Sequence, residues 1–152
     1  MTRLSKKKTR VVIPSRYGSS RLPGKPLIDL AGKPMVVRVF DAVQLALADR
    51  DVDIQVAVDD KRILDVLNAY GIAGVLTDPE HESGTDRAAE VARLKNWDHS
   101  DIIVNVQGDE PLIPADMLRA FESYCSDRPN LSMGTISAPI NSTEHILDPN
   151  VV

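Results

Sequence analysis

Residues Arg10 to Pro26 read RVVIPSRYGSSRLPGKP, an apolar run that gives way to a long stretch of turn formers and cations. Arg10 to Pro14 has the length and β-branched content of a buried strand. The loop that follows, to Pro26, reaches the ~12 residues at which a structureless connection in a compact domain is normally functional or disordered. It carries Arg16, Arg21 and Lys25 among glycine, serine and proline, so it reads as a binding loop.

Outward from this stretch, strand and helix patterns alternate. After a short apolar segment, Leu27 to Leu30, Lys33-Pro34 opens a helix, with Pro34 suited to a first helical position. Val36, Val39, Phe40, Val43 and Leu47 form one apolar stripe along it. A strand at Ile54 to Val58 leads through Asp59-Asp60 into a helix striped by Ile63, Val66, Leu67 and Tyr70, which Gly71 ends. A short strand at Val75 to Thr77, a polar loop to Gly84 and a helix from Thr85 to Lys95 come next. Asp101 to Val106 is nearly continuously apolar, as expected of a parallel strand covered on both faces, and it empties into Gln107-Gly108-Asp109-Glu110-Pro111. Pro114 starts a helix to Ser126, Leu131 to Ala138 reads as a strand, and Val151-Val152 as the start of another. No repeat or linker divides the chain. The pattern predicts an α/β fold, a mostly parallel sheet flanked by helices, in which ligands gather at the carboxyl ends of the strands.

Composition narrows the function. No apolar run approaches the ~18 residues of a membrane span. The opening MTRLSKKKTR leads into no apolar stretch with a small-residue cleavage site, so it is not a secretory signal, and a cytoplasmic protein is expected. Arg3, Lys6, Lys7, Lys8 and Arg10 hold five of the 18 basic residues, and the remainder faces 22 acidic ones. An acidic body of this kind is not a nucleic-acid binder. Residues 1–9 read as a basic, disordered head and 10–152 as the folded portion. Cys125 reads as a small buried side chain rather than a reactive thiol, and Trp97, Met117 and Phe121 read as core.

Three loops carry chemistry. Arg16 to Lys25 puts three cations after the first strand, with glycines that let backbone N–H groups approach a triphosphate. It is not a P-loop, because Pro26 follows Gly24-Lys25 where Ser or Thr is required. Asp109 ends an apolar strand, where a carboxylate can hold a divalent cation against phosphates or merely favour the next helix. In His81-Glu82-Ser83-Gly84-Thr85-Asp86-Arg87, hydroxyls and a cation suit a nucleotide, although a helix cap is the commoner reason for such residues. Asp59-Asp60 reads first as a cap and less readily as a metal pair. His81, His99 and His145 are too scattered for a metal triad, and no Ser-His-Asp or Cys-His arrangement is evident. Cations, a carboxylate and hydroxyls without a protein nucleophile fit direct displacement at phosphorus.

The blocks VVIPSRYGSSRLPGKP, HESGTDR and VNVQGDEPLIP, in this order and spacing, resemble the 3-deoxy-manno-octulosonate cytidylyltransferases, or CMP-Kdo synthetases. The resemblance runs from Val11 to Val152. It implies a Rossmann-like nucleotidyltransferase fold and transfer of CMP from CTP to Kdo with release of pyrophosphate, for lipopolysaccharide biosynthesis. It also implies Mg2+ as cofactor. Arg16, Lys25 and Asp109 would be catalytic, and Arg16, Ser19, Arg21 and Lys25 would hold the triphosphate. Asp109 would ligate the metal, and Ser83, Gly84, Thr85, Arg87 and Gln107 would help seat the nucleotide. The family continues past Val152 into a part that supplies sugar contacts, a second metal-binding aspartate and a homodimer contact. The chain is therefore expected to be a truncated, nucleotide-binding portion of one α/β domain. Two other readings share these loops: a CMP-sialic or nonulosonic acid synthetase, and a nucleotide-binding module without catalysis.

Overall fold

The computed structural model describes residues 7–18, 22–128, 130–140 and 142. Four strands, β1 (Thr9–Ser15), β2 (Val52–Val58), β3 (Gly74–Leu76) and β4 (Ile102–Asn105), form a parallel sheet in the order β3-β2-β1-β4. Helices α1 (Met35–Ala46), α2 (Lys61–Ala69), α3 (Gly84–Leu94) and α4 (Ala115–Ser126) alternate with the strands, and a single 3-10 turn covers Lys25–Leu27. The expected α/β class is therefore observed.

Because strand side chains alternate between faces, β1 feeds two separate cores. Val11 and Ile13 point to the face covered by α1, α2 and α4, where Val36, Val39, Val43, Ile63, Leu67 and Leu118 are fully or almost fully buried. Val12 points to the opposite face and meets Ala57, Val75, Ala88 and Val91, the last two from α3. Each such aliphatic side chain contributes roughly 1.5–3 kcal/mol on burial, so β1 is anchored from both sides. The amino-terminal edge of the sheet is pinned separately. Arg10 donates to Asp53 at 3.1 Å and Asp101 at 2.9 Å and lies over the Trp97 ring, far from the loops at the other end of the strands. Lys8 and Thr9, assigned above to the head, belong to this ordered edge: the Lys8 carbonyl accepts from the Ile102 N–H.

Several expectations are corrected. Among the described residues β4 is an edge strand with Ile103 41% exposed, not one covered on both faces. Leu131 to Ala138 forms no strand, and with Met133 84% exposed it gains neither the pairing nor the apolar cover a strand needs. Val151-Val152 and His145 lie outside the described residues. Met117 is partly exposed because α4 turns Leu118, Glu122 and Cys125 inward instead, whereas Phe121 and Trp97 pack against the two cores as expected. Cys125 is buried, and burial pushes its thiol pKa up, away from reactivity. Pro34 caps α1 from an extended conformation, one position earlier than expected.

Candidate nucleotide site

An open cleft of about 640 Å³ lies where β1 and β4 end. Pro14, Ser15, Arg16 and Gly18 line it from the end of β1, and Leu22, Lys25 and Pro26 from the rest of the loop. Met35, Gly84, Gln107, Gly108 and Asp109 complete the wall.

The first loop is folded back on itself. The Gly24 N–H donates to the Tyr17 carbonyl at 2.9 Å, with Gly24 at φ 73°, a left-handed conformation that glycine adopts without strain. The Tyr17 ring packs against Gly24, where a Cβ would stand 3.3 Å from it, and the Arg62 guanidinium sits 3.5 Å from the ring centroid. The Tyr17 N–H donates to Asp59 Oδ1 at 2.7 Å. This closure delivers Lys25, at the head of the 3-10 turn, to the mouth of the cleft.

Asp109 arrives from the other side by close contact. A Cβ on Gly108 would lie 2.3 Å from both the Pro14 carbonyl oxygen and Ser15 Oγ, so no larger residue fits unless the backbone moves. The Gly108 N–H donates to that same carbonyl at 3.1 Å. The turn after β4 is thereby held against the end of β1, and Lys25 Nζ reaches Asp109 Oδ2 at 2.8 Å. Both side chains are substantially exposed, so the pair contributes at most ~1 kcal/mol to stability. Its importance is placement: a cation and a carboxylate share one cleft mouth.

At the floor, Gly84 opens α3, and a Cβ there would stand 3.1 Å from Pro14 Cγ and 3.5 Å from the amides of Asn105 and Gln107. Ser83 is the N-cap of α3: its Oγ accepts from the Asp86 N–H at 3.1 Å and donates to the Asp86 carboxylate at 2.6 Å. The cap weighed from the sequence is real, and Thr85 is exposed nearby. Arg87 does not reach the cleft surface. It is wholly buried, with Nη1 donating to Thr77 Oγ1 at 2.5 Å and Nη2 lying 4.0 Å from Asp59 Oδ2. Burial lowers its pKa, with Asp59 opposing the shift. Ser19 and Arg21 lie outside the described residues.

Sequence reasoning passed over Ser15 and Asn105. Ser15 Oγ and Asn105 Oδ1 are buried polar atoms without a hydrogen-bond partner among the described residues, and Ser15 lines the cleft. Both end or nearly end strands at the carboxyl edge of the sheet, a positional signal that could have identified them. Asp59, directly after β2, was missed as a support for the loop for the same reason. No cluster of three or more His, Cys, Asp or Glu suited to a metal occurs among the described residues. Nor is any described helix long and apolar enough to cross a membrane.

The parallel α/β sheet thus presents cations after its first strand and a carboxylate after its fourth, at the carboxyl ends where such sheets collect ligands. The chain belongs to the cytidylyltransferase family, whose model matches residues 10–152. It is 55% identical over 142 residues to 3-deoxy-manno-octulosonate cytidylyltransferase 2 of Paraburkholderia phytofirmans, covering 93% of this chain and 54% of that protein. It is 47% identical over 142 residues to the 3-deoxy-manno-octulosonate cytidylyltransferase of Acinetobacter baumannii, covering 93% of this chain and 55% of that protein. A solved structure of CMP:2-keto-3-deoxy-manno-octonic acid synthetase complexed with CTP superposes with a TM-score of 0.74 at 42% identity, over 82% of this chain and 50% of that one. A nucleotidyl transferase from Methanothermobacter, at 21% identity and a TM-score of 0.61, covers 77% of this chain and 57% of that one, and shares the fold. The chain spans about half the length of the curated relatives it matches.

Proposed function

We propose that this chain supplies the CTP-binding half of an enzyme that transfers CMP from CTP to Kdo and releases pyrophosphate. The observation that carries the reading is the 2.8 Å approach of Lys25 to Asp109 at the mouth of the cleft between β1 and β4. The names of the relatives and the CTP bound in the similar solved structure support cytidine as the base and Kdo as the sugar, over a sialic acid.

In this reading Arg16 and Lys25, with Ser19 and Arg21 of the same loop, grip the triphosphate. Arg provides a planar fork and Lys a mobile point charge, and both meet negative charge as it shifts toward the leaving pyrophosphate. Gln107 and Gly84 face the nucleoside, with Ser83 and Thr85 at the same turn. Ser15 Oγ, which has no hydrogen-bond partner among the described residues, offers a further polar group at the cleft wall. Arg87 serves from beneath. Asp109, half-exposed beside a phosphate-binding cation, fits Mg2+, which takes one or two carboxylates and completes its shell with phosphate and water oxygens. Bound metal supplies charge neutralisation at the phosphates. The Kdo hydroxyl forms the new bond to the α-phosphorus as the bond to the pyrophosphate oxygen breaks, with no covalent enzyme intermediate. Homodimer assembly, a place in lipopolysaccharide biosynthesis and a cytoplasmic location belong to the same proposal and rest on the resemblance.

The test is pyrophosphate release from CTP and Mg2+ by this chain alone and by this chain joined to the remaining half of the Paraburkholderia phytofirmans relative. The joined protein is expected to release pyrophosphate with Kdo and not with a sialic acid, while the chain alone binds CTP without turnover. Turnover with sialic acid in place of Kdo would overturn the sugar assignment.

A further inference from the structure

Asp59 and Arg87 are the most deeply placed charged pair near the cleft, yet neither lines it. Arg87 is fully buried and the Asp59 side chain is 8% exposed. Such charges are costly to desolvate and persist where the geometry around them is fixed. Here each is tied to a different part of the site. Asp59 Oδ1 accepts the N–H of Tyr17, while the carbonyl of the same residue accepts the N–H of Gly24. A single carboxylate therefore holds the residue at which the phosphate loop closes. Arg87 stands one turn into α3, with its N–H donating to the Ser83 carbonyl at 3.3 Å. Its guanidinium bonds Thr77 Oγ1, and Thr77 Oγ1 donates to the Val58 carbonyl at 2.9 Å, beside Asp59. Arg87 Nε and Nη2 have no hydrogen-bond partner among the described residues, which leaves the Asp59 carboxylate, 4.0 Å away, as the charge facing Nη2.

We infer that Asp59 and Arg87 are positioning residues, a buried ion pair that holds the base of the phosphate loop in register with the first turn of α3. The inference rests on the reading of the cleft as a nucleotide site. It explains why the arginine of the Ser-Gly-Thr-Asp-Arg block is buried instead of meeting ligand: its charge acts through Asp59 on Tyr17, and Tyr17 sets where Arg16 and Lys25 stand. The neighbouring Asp60 caps α2 through the Arg62 N–H and also binds the Arg62 guanidinium that lies over the Tyr17 ring, so it is no neutral control, whereas Asp53 pairs with Arg10 at the opposite end of β2.

The experiment is calorimetric titration with CTP and with CMP of the wild type, Asp59→Asn, Arg87→Met, Arg87→Lys, the Asp59→Asn/Arg87→Met double variant and an Asp53→Asn control at the far end of β2. Asn retains an acceptor for Tyr17 but not the charge. Asp59→Asn and Arg87→Met are each expected to weaken CTP about tenfold while changing CMP by no more than about twofold, since only CTP needs the far end of the loop. The double variant should be little worse than either single one, Arg87→Lys should recover part of the loss, and Asp53→Asn should leave the CTP-to-CMP ratio unchanged. Equal losses for both nucleotides, or additive losses in the double variant, would overturn the inference. Amide exchange of Tyr17 in the ligand-free wild type provides a second reading, because it depends on neither ligand nor variant stability: strong protection supports the inference and free exchange contradicts it. Failure of the wild type to bind CTP would instead defeat the functional proposal, and the Tyr17 amide would then decide the positioning role.

Discussion

Lys25 and Asp109 pair across 2.8 Å, so a triphosphate that binds at the cleft mouth must separate them or bind both. Lys25→Ala is accordingly expected to weaken CTP roughly tenfold, the worth of one charge-assisted hydrogen bond. CMP, which lacks the outer phosphates, should be almost unaffected, and parallel titrations of the two nucleotides measure the difference. Gly108 is a sharper case. A methyl group there meets the Pro14 carbonyl and Ser15 Oγ at 2.3 Å, so Gly108→Ala forces the turn off β1. We expect about 1–3 kcal/mol of destabilisation in denaturant unfolding, together with loss of CTP binding, as Asp109 moves away from Lys25. A variant as stable as the wild type would show that the turn is not held as tightly as its packing implies.

At the scale of elements, the two helices beside the site start on side-chain caps. Ser83→Ala removes the acceptor for the Asp86 N–H and is expected to cost about 0.5–2 kcal/mol in thermal unfolding. The α2 cap is pH-dependent. Asp60 is held at a pKa of about 2, below the 3.8 of an ordinary aspartate, first by the Arg62 side chain and then by the Arg62 N–H. A depressed carboxylate contributes stability that is complete above pH 3.8 and is lost as pH falls through about 2. Asp60→Asn should therefore flatten the acid limb of the stability profile in that window and leave the profile unchanged in shape at neutral pH. Elements of this kind were legible in the sequence because their signals are local: apolar runs marked β1 and β2, apolar stripes marked α1 and α2, Pro114 marked the start of α4, and Ser83 and Asp60 stood among the candidate caps. The edge position of β4 was not legible, because an apolar run looks the same whether one or two neighbours cover it. The lack of a strand at Leu131 to Ala138 was hidden similarly, since alternation states what a segment would bury but not whether an edge is there to pair with it. At the cleft, the presence of Arg16, Lys25 and Asp109 was legible from charge at strand ends. The burial of Arg87 and the grip of Asp59 on Tyr17, 42 residues away in sequence, depend on tertiary contacts that no local pattern encodes.

Across the whole molecule, the sheet acts as a frame with its two ends doing different work. Arg10, Asp53 and Asp101 lock the amino-terminal edge, and every loop that lines the cleft leaves the opposite one. β1, buried on both sides, resists movement, and the Gly108 N–H ties the turn after β4 to its end, so the separation of the phosphate loop from that turn is fixed by the fold, which lowers the cost of organising a binding site. A ligand that binds only this folded frame stabilises it by RT ln(1 + [L]/Kd). The most direct measurement is the shift in thermal unfolding of this chain with CTP and with GTP, each added with Mg2+ at the same concentrations. The account predicts a rise in Tm with CTP that grows with its concentration, is much smaller with GTP and is reduced by Lys25→Ala. Equal shifts with the two nucleotides, or no shift with either, would contradict a cytidine nucleotide site at the ends of β1 and β4.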